Sequence, residues 1–305
     1  MKMTWKKLMA WIAAGYGQGH YDEYKPFLQN TRRNTSAVSN QSAGNWLPGY
    51  TRRFHYQSRA ERQIALGLLW LGGKDIREGF PMWPMTHHHP LAGTRGTESL
   101  RLQEVPGLWE LAREAGIAHG VFPGTRIPYV ATLDFMVTVH RGGTPDLVAI
   151  SCKPRQQIFS ADAASRMLER MELERLYCQT LSIPLCVADA KVFGRRLIAN
   201  LEWMVQPQSL VDELATDTSL RRFLDKLEKH IYESPISTVL TESASSVGWS
   251  VQRAQQAFRF LAWCQVLDIN LSEPVVMSHP ATRGGIHLRK AMQRAILGEI
   301  DEEQF

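Results

Sequence analysis

Paired cysteines are missing from this sequence. The four that occur, Cys152, Cys178, Cys186 and Cys264, share no metal-knuckle or disulfide spacing. That excludes a zinc knuckle and a disulfide framework and points to reduced thiols inside a cell. Long apolar runs are missing too. None approaches the roughly 20 residues of a membrane span, so no membrane partner is expected. The short apolar stretch Leu8–Ala14 follows Lys2, Lys6 and Lys7. Trp5, Leu8, Met9 and Ile12 recur in it at helical spacing, which predicts an amphipathic helix rather than a signal peptide. Gly15-Tyr-Gly-Gln-Gly19 lacks the preceding strand that a dinucleotide loop needs. Neither sign of charge dominates: 35 Lys and Arg stand against 30 Asp and Glu. The resulting net charge of +5 leans toward an anionic partner such as nucleic acid without requiring one.

A hairpin and the helix after it, from Tyr129 to about Gln179, organise the rest. Side chains alternate across a strand. In Tyr129–Val139 the residues Leu133, Phe135, Val137 and Val139 therefore share an apolar face, and Asp134 points the other way with Thr132 and Met136. Arg141-Gly-Gly-Thr-Pro-Asp146 reads as the loop. Leu147–Lys153 reads as the second strand, with Val148, Ile150 and Cys152 on one face and Ser151 and Lys153 on the other. If the polar faces coincide, Asp134 and Lys153 lie side by side. A carboxylate for a divalent metal with a lysine beside it suits phosphodiester hydrolysis, because the metal acidifies a bound water and the lysine steadies developing charge. Hairpins with this pair are common, and the pair alone also fits a purely structural role.

Taken in order, the chain alternates between elements. Ser58–Leu71 has the form of a capped helix, with Ser58 and Glu61 spaced as a capping box. Glu61 sits at the edge of the stripe Ile64, Ala65, Leu68; it is either a simple cap or a carboxylate aimed inward. Residues 86–128, with His87, His88 and His89, look like an excursion before the hairpin. Ser160–Thr180 reads as a helix with Ala164, Met167, Leu168, Met171 and Glu174 inward. A buried strand at Ile183–Ala188 and a helix at Phe193–Val205 follow. This order predicts an α/β sheet flanked by helices. Gln206–Ser209 reads as a boundary between residues 1–205 and 206–305. Beyond it come short helices, one beginning at Pro235, another at Ser243 or Ser245 and another at Trp249–Arg253. A short strand at Leu267–Leu271 completes a winged-helix-like pattern that serves either DNA or protein. Arg32, Arg33, Arg52, Arg53 and Arg253 are candidates for DNA phosphates, against a bland reading as solvated charge.

Ordered motifs give a sharper reading. They are Gly15-Tyr-Gly-Gln-Gly-His20 with Tyr24-Lys-Pro-Phe27, the helix carrying Glu61, Asp75-Ile-Arg-Glu-Gly-Phe-Pro81, Leu133-Asp134-Phe135, Ile150-Ser-Cys-Lys-Pro154, and Met171-Glu-Leu-Glu-Arg175 with Tyr177 and Gln179. Over roughly Gly15–Val205 the sequence resembles the TnsA family, the endonuclease subunits of heteromeric transposases. The resemblance implies a restriction-endonuclease-like core. It implies Mg²⁺, with Mn²⁺ able to substitute, held by Glu61, Asp134 and the backbone carbonyl of Cys152. It implies that Lys153 activates or orients the attacking water and that Glu174 is a further active-site glutamate. Ser151 stands where the family often has glutamine; its hydroxyl can still bind a water or a phosphate oxygen. The implied task is to cut the 5′ strands at transposon ends beside a DDE transposase subunit, under an AAA+ ATPase regulator met by the C-terminal domain. The implied setting is the bacterial cytoplasm and its nucleoid. Two rival readings are a stand-alone repair or restriction nuclease of the same fold and a nuclease-dead, DNA-binding assembly factor.

Overall fold

A computed structural model describes residues 3–30, 41–44, 47–153, 165–189 and 191–301. The elements in chain order are α1 (Trp5–Ala13), β1 (Gln41–Gly44), β2 (Arg53–Tyr56), α2 (Arg59–Trp70), β3 (Asp75–Met82), α3 (Leu108–Glu114), β4 (Ala131–Arg141) and β5 (Thr144–Cys152). There follow α4 (Ser165–Thr180), β6 (Leu185–Ala188), α5 (Arg195–Met204), α6 (Gln208–Ala215), α7 (Leu220–His230), α8 (Ile236–Val247), α9 (Val251–Trp263) and α10 (Gly285–Ile296). The amphipathic N-terminal helix is α1, and its first turn is capped by the Thr4 hydroxyl, which accepts from Lys7 N.

The strands β3-β4-β5-β6 form one mixed sheet, antiparallel except for the β5–β6 pair. A connection through α4 delivers β6 parallel to β5, as a helical crossover does. The hairpin is tighter than the sequence suggests. Gly142 and Gly143 both have positive φ, +58° and +77°, and make a two-residue turn. That geometry matches the strand twist, so β5 starts at Thr144 rather than Leu147.

One sheet face packs on α2, α5 and the later helices, burying Ile76, Phe135, Val137, Val148 and Ile150. The other packs on α3 and α4, burying Phe80, Met136, Leu147, Ala149 and Tyr177. Leu133 lies in this second layer and not with Phe135. The β3–β4 pairing passes from Glu78–Phe135 to Phe80–Leu133 and skips Gly79 and Asp134. Gly79 has φ +56°, which a side chain disfavours, and the break lets the strand invert its faces at Asp134.

Beyond Met204 the described chain is helical. Ile236–Val247 is one helix, not two, and residues 267–271 are not a strand but a turn-rich link to α10. Gln265 holds that link, its amide donating to Ala262 O and Ile269 O. No strand follows Ala188 among the described residues, so the wing expected of a winged helix is not there. Nor is Gln206 a break in the core. Met204, Leu214, Phe258, Leu261 and Leu297 join the cluster that holds Ile64 and Phe135. The chain after α10 returns to the hairpin turn: Arg141 donates to Leu297 O and Glu299 O, and Gly142 N and Gly143 N donate to the Asp301 carboxylate at 2.8 and 2.7 Å. No described helix is long and apolar enough to cross a membrane.

Candidate active site

The polar faces of β4 and β5 do coincide. At the β4 break, Asp134 Oδ2 accepts from Cys152 N at 2.6 Å and lies 3.3 Å from Lys153 Nζ. The same ammonium is 3.5 Å from Glu174 Oε1. Glu174 comes from the buried stripe of α4, and its Oε2 accepts from Ser151 Oγ at 2.6 Å. Strand alternation is what delivers Ser151 and Lys153 to α4 while Val148 and Ile150 face away. On α4 itself Leu168 is exposed; the inward residues are Leu173, Glu174, Tyr177 and Cys178. Residues 160–164 lie outside the described residues.

Glu61 both caps α2 and faces the site. Its backbone N–H donates to Ser58 Oγ, and its carboxylate accepts from Gln57 N at 2.7 Å and Ser58 Oγ at 3.0 Å. Burial, and then the negative charge of Asp134, push its carboxyl up to about 7. Burial likewise raises Glu174. Burial opposes the Lys153 charge, but Asp134 and Glu174 outweigh it, so the ammonium is held above its ordinary range. Burial, then Asp134, lifts the Cys152 thiol well above its usual value.

The donor chemistry fits a hard divalent cation. Glu61 and Asp134 offer carboxylate oxygens, the charge of Asp134 adds to the cost of ionising Glu61, and a cation between them would relieve that cost. Among the described residues no three His, Cys, Asp or Glu side chains gather closely enough to hold a metal by themselves. A backbone oxygen such as that of Cys152, water or a phosphate would complete the shell.

Asp134, Lys153 and Glu174 line a cleft of about 850 Å³. Its other side is built by the 86–128 excursion, through His119, Gly120 and Val121, and by Tyr129. The excursion is anchored to α4 by His87, whose Nε2 lies 2.9 Å from Tyr177 Oη with the rings stacked. His87 therefore serves packing, as its lowered pKa, to about 4 through burial, accords with; His88 is exposed, and His89 Nδ1 accepts from Leu91 N.

The remaining candidate arginines separate. Arg52 is not available to phosphate: it donates to both oxygens of buried Glu78, to Ile76 O and to Tyr21 O. Arg253 pairs with Glu213 and Asp217 and so ties α9 to the end of α6. Arg53 is exposed. Arg32 and Arg33 lie outside the described residues. The motifs around residues 15–27 and 75–81 also lie away from the cleft and brace β3. His20 Nδ1 and Tyr21 N meet the Asp75 carboxylate, and Tyr24 donates to Glu78 O. One cleft residue that the hairpin and helix patterns passed over is Arg170. Its position four residues before Glu174 on one helix was the available signal.

The family of TnsA-like endonuclease N-terminal domains matches residues 100–189, the stretch that supplies Asp134, Ser151, Lys153 and Glu174. The transposon Tn7 transposition protein TnsA of Escherichia coli is 30% identical over 211 residues, 68% of this chain and 66% of that protein. The chain thus spans just under two thirds of that relative's length. On the sequence match and the clustering of its carboxylates and lysine, the chain belongs to the TnsA-like endonuclease family.

Proposed function

We propose that the protein is the metal-dependent DNA endonuclease subunit of a cut-and-paste transposase. It cuts the 5′, non-transferred strands at transposon ends while a DDE transposase subunit cuts and joins the 3′ ends. One observation carries this reading: Lys153 Nζ lies 3.3 Å from Asp134 and 3.5 Å from Glu174, on a cleft of about 850 Å³. Glu61, Asp134 and the Cys152 carbonyl would hold Mg²⁺, or Mn²⁺ in its place. When bound, the ion supplies positive charge at the phosphate and an acidified water.

The chain's own residues do the rest. The Cys152 N–H fixes one oxygen of Asp134 and so sets the direction of the other. Ser151 fixes Glu174, and Glu174 with Asp134 fixes Lys153. A lysine held this way presents its ammonium to the water or to the phosphate oxygen that gains charge, with little reorganisation. Residues 1–205 carry this chemistry. The helices of 206–305 offer the surface for an AAA+ ATPase regulator and for DNA, in the cytoplasm at the nucleoid.

Strand-specific excision tests the reading. The protein is mixed with its transposase, its regulator, Mg²⁺ and end-bearing duplex, and wild type is compared with Asp134→Ala and Lys153→Ala. Loss of the 5′ cuts by roughly a hundredfold or more is expected, with 3′ joining retained. Both cuts persisting in Asp134→Ala would overturn the assignment.

A further inference from the structure

Three lysine or arginine side chains line the cleft: Lys153, Arg166 and Arg170. Two are engaged. Lys153 lies between Asp134 and Glu174. Arg166 donates to Ala118 O at 2.6 Å and to Glu169 at 2.8 Å, and so pins the excursion to α4. Arg170 is exposed and makes no hydrogen bond, ion pair or ring contact with any described residue. It stands one helical turn before Glu174, on the same face.

The charge around it gives this freedom a use. Glu61, Asp134 and Glu174 face the site against the single charge of Lys153, so before a cation is bound the cleft gives a phosphodiester little attraction of its own, and a fixed positive group on the wall adds it. A guanidinium on the wall, with its N–H groups uncommitted, is suited to a phosphate in a two-pronged contact. We propose that Arg170 grips a backbone phosphate of the strand being cut, beside the scissile one, and holds that strand over Asp134 and Lys153. This rests on the nuclease reading above. It assigns Arg170 to substrate binding, not to the chemical step.

The test compares full-length wild type with Arg170→Gln and Arg170→Lys. Arg175→Gln is the charge control, because Arg175 is exposed on another face of α4 and paired with Glu172. Binding to transposon-end duplex is followed by anisotropy in EDTA over a salt series. Single-turnover 5′-strand cutting is followed in the complete transposase mixture over a range of DNA concentrations. Arg170→Gln should weaken binding about tenfold and flatten the salt dependence by about 0.9 in slope, the share of one phosphate. It should raise the half-saturating DNA concentration by a similar factor and leave the plateau rate within about twofold. Arg170→Lys should recover part of the loss, and Arg175→Gln should behave as wild type. Wild-type binding and slope in Arg170→Gln overturn the proposal, as does an equal loss in Arg175→Gln or a fall in plateau rate alone. If wild type cuts nothing, the nuclease reading fails and the salt slopes still decide on Arg170. If wild type and Arg170→Gln cut alike, only the Arg170 assignment fails.

Discussion

Replacing Arg52 by alanine should weaken the fold and leave the chemistry of the cleft alone. The side chain is 6% exposed and Glu78, its partner, is fully buried. Arg52 supplies Glu78 with contacts at 2.9 and 2.8 Å, closes on Ile76 O and Tyr21 O, and stacks 3.9 Å from the Phe54 ring. Alanine strands the Glu78 carboxylate with the His55 N–H as its remaining donor among these contacts. Breaking one side of a buried pair costs about 3–5 kcal/mol. For a chain of this size each kcal/mol lowers Tm by roughly 2 °C, so the variant should melt about 6–10 °C below wild type. Scanning calorimetry at neutral pH measures this, with Arg53→Ala as the exposed neighbour expected to match wild type. A double variant, Arg52→Met with Glu78→Leu, should recover much of the loss, since no charge is then buried alone. If Arg52→Ala melts within about 1 °C of wild type and loses DNA affinity instead, the residue belongs to an interface and the reasoning is wrong.

Three further outcomes are expected. Glu61 is raised to about 7 from an ordinary 4.5 by burial and then by Asp134; the stability tied to its proton is therefore complete below pH 4.5 and lost as pH rises through about 7. Relative to Glu61→Gln, metal-free wild type should lose about 3 kcal/mol between pH 4.5 and 8 in urea unfolding, and a pH-independent difference would rule this out. Ser151→Ala removes the 2.6 Å bond to Glu174 and should slow 5′-strand cutting about tenfold while costing roughly 1–2 kcal/mol of stability; an unchanged single-turnover rate would show that Glu174 is oriented without it. Gly67→Ala would drive its new methyl into the Phe193 ring and should destabilise by about 1–3 kcal/mol in chemical denaturation; restoration by Phe193→Leu in the same chain is the check, and no effect in either variant contradicts the packing.

Local patterns made some parts of this molecule legible and hid others. Asp134, Ser151 and Lys153 could be placed together because alternation along two adjacent strands is a short-range rule, and the hairpin obeys it from Asp134 through the turn to Ser151. Leu133 was misplaced by the same rule, because Gly79, far earlier in the chain and on another strand, breaks the ladder opposite Asp134. The double role of Glu61 was open in the sequence for a physical reason. The cap at Ser58 and the inward carboxylate are compatible, and only the position of Asp134 shows that both hold. Arg52 and Arg53 look alike in a basic stretch, yet Arg52, just before β2, turns onto Glu78 while Arg53, the first residue of β2, is left in solvent. The strand expected at 267–271 failed because its apolar residues, Leu267, Ile269 and Leu271, reach the core from a link held by Gln265 rather than from a ladder. Leu168 was assigned inward with the stripe Ala164, Met167, Met171 and Glu174, yet it is exposed on α4.

The return of the chain to the β4–β5 turn bears on where a label can be attached. Asp301 is seated on Gly142 and Gly143, whose N–H groups hold its carboxyl below the usual range. From Arg141 back to Asp134 the strand advances about 24 Å. A fluorophore or fused domain placed after Phe305 therefore starts within about 14 Å of an anchor at the far end of the hairpin. Asp301→Ala would release that anchor. The same label would then report the loosening of the hairpin turn while Asp134 and Lys153 keep their places at the other end.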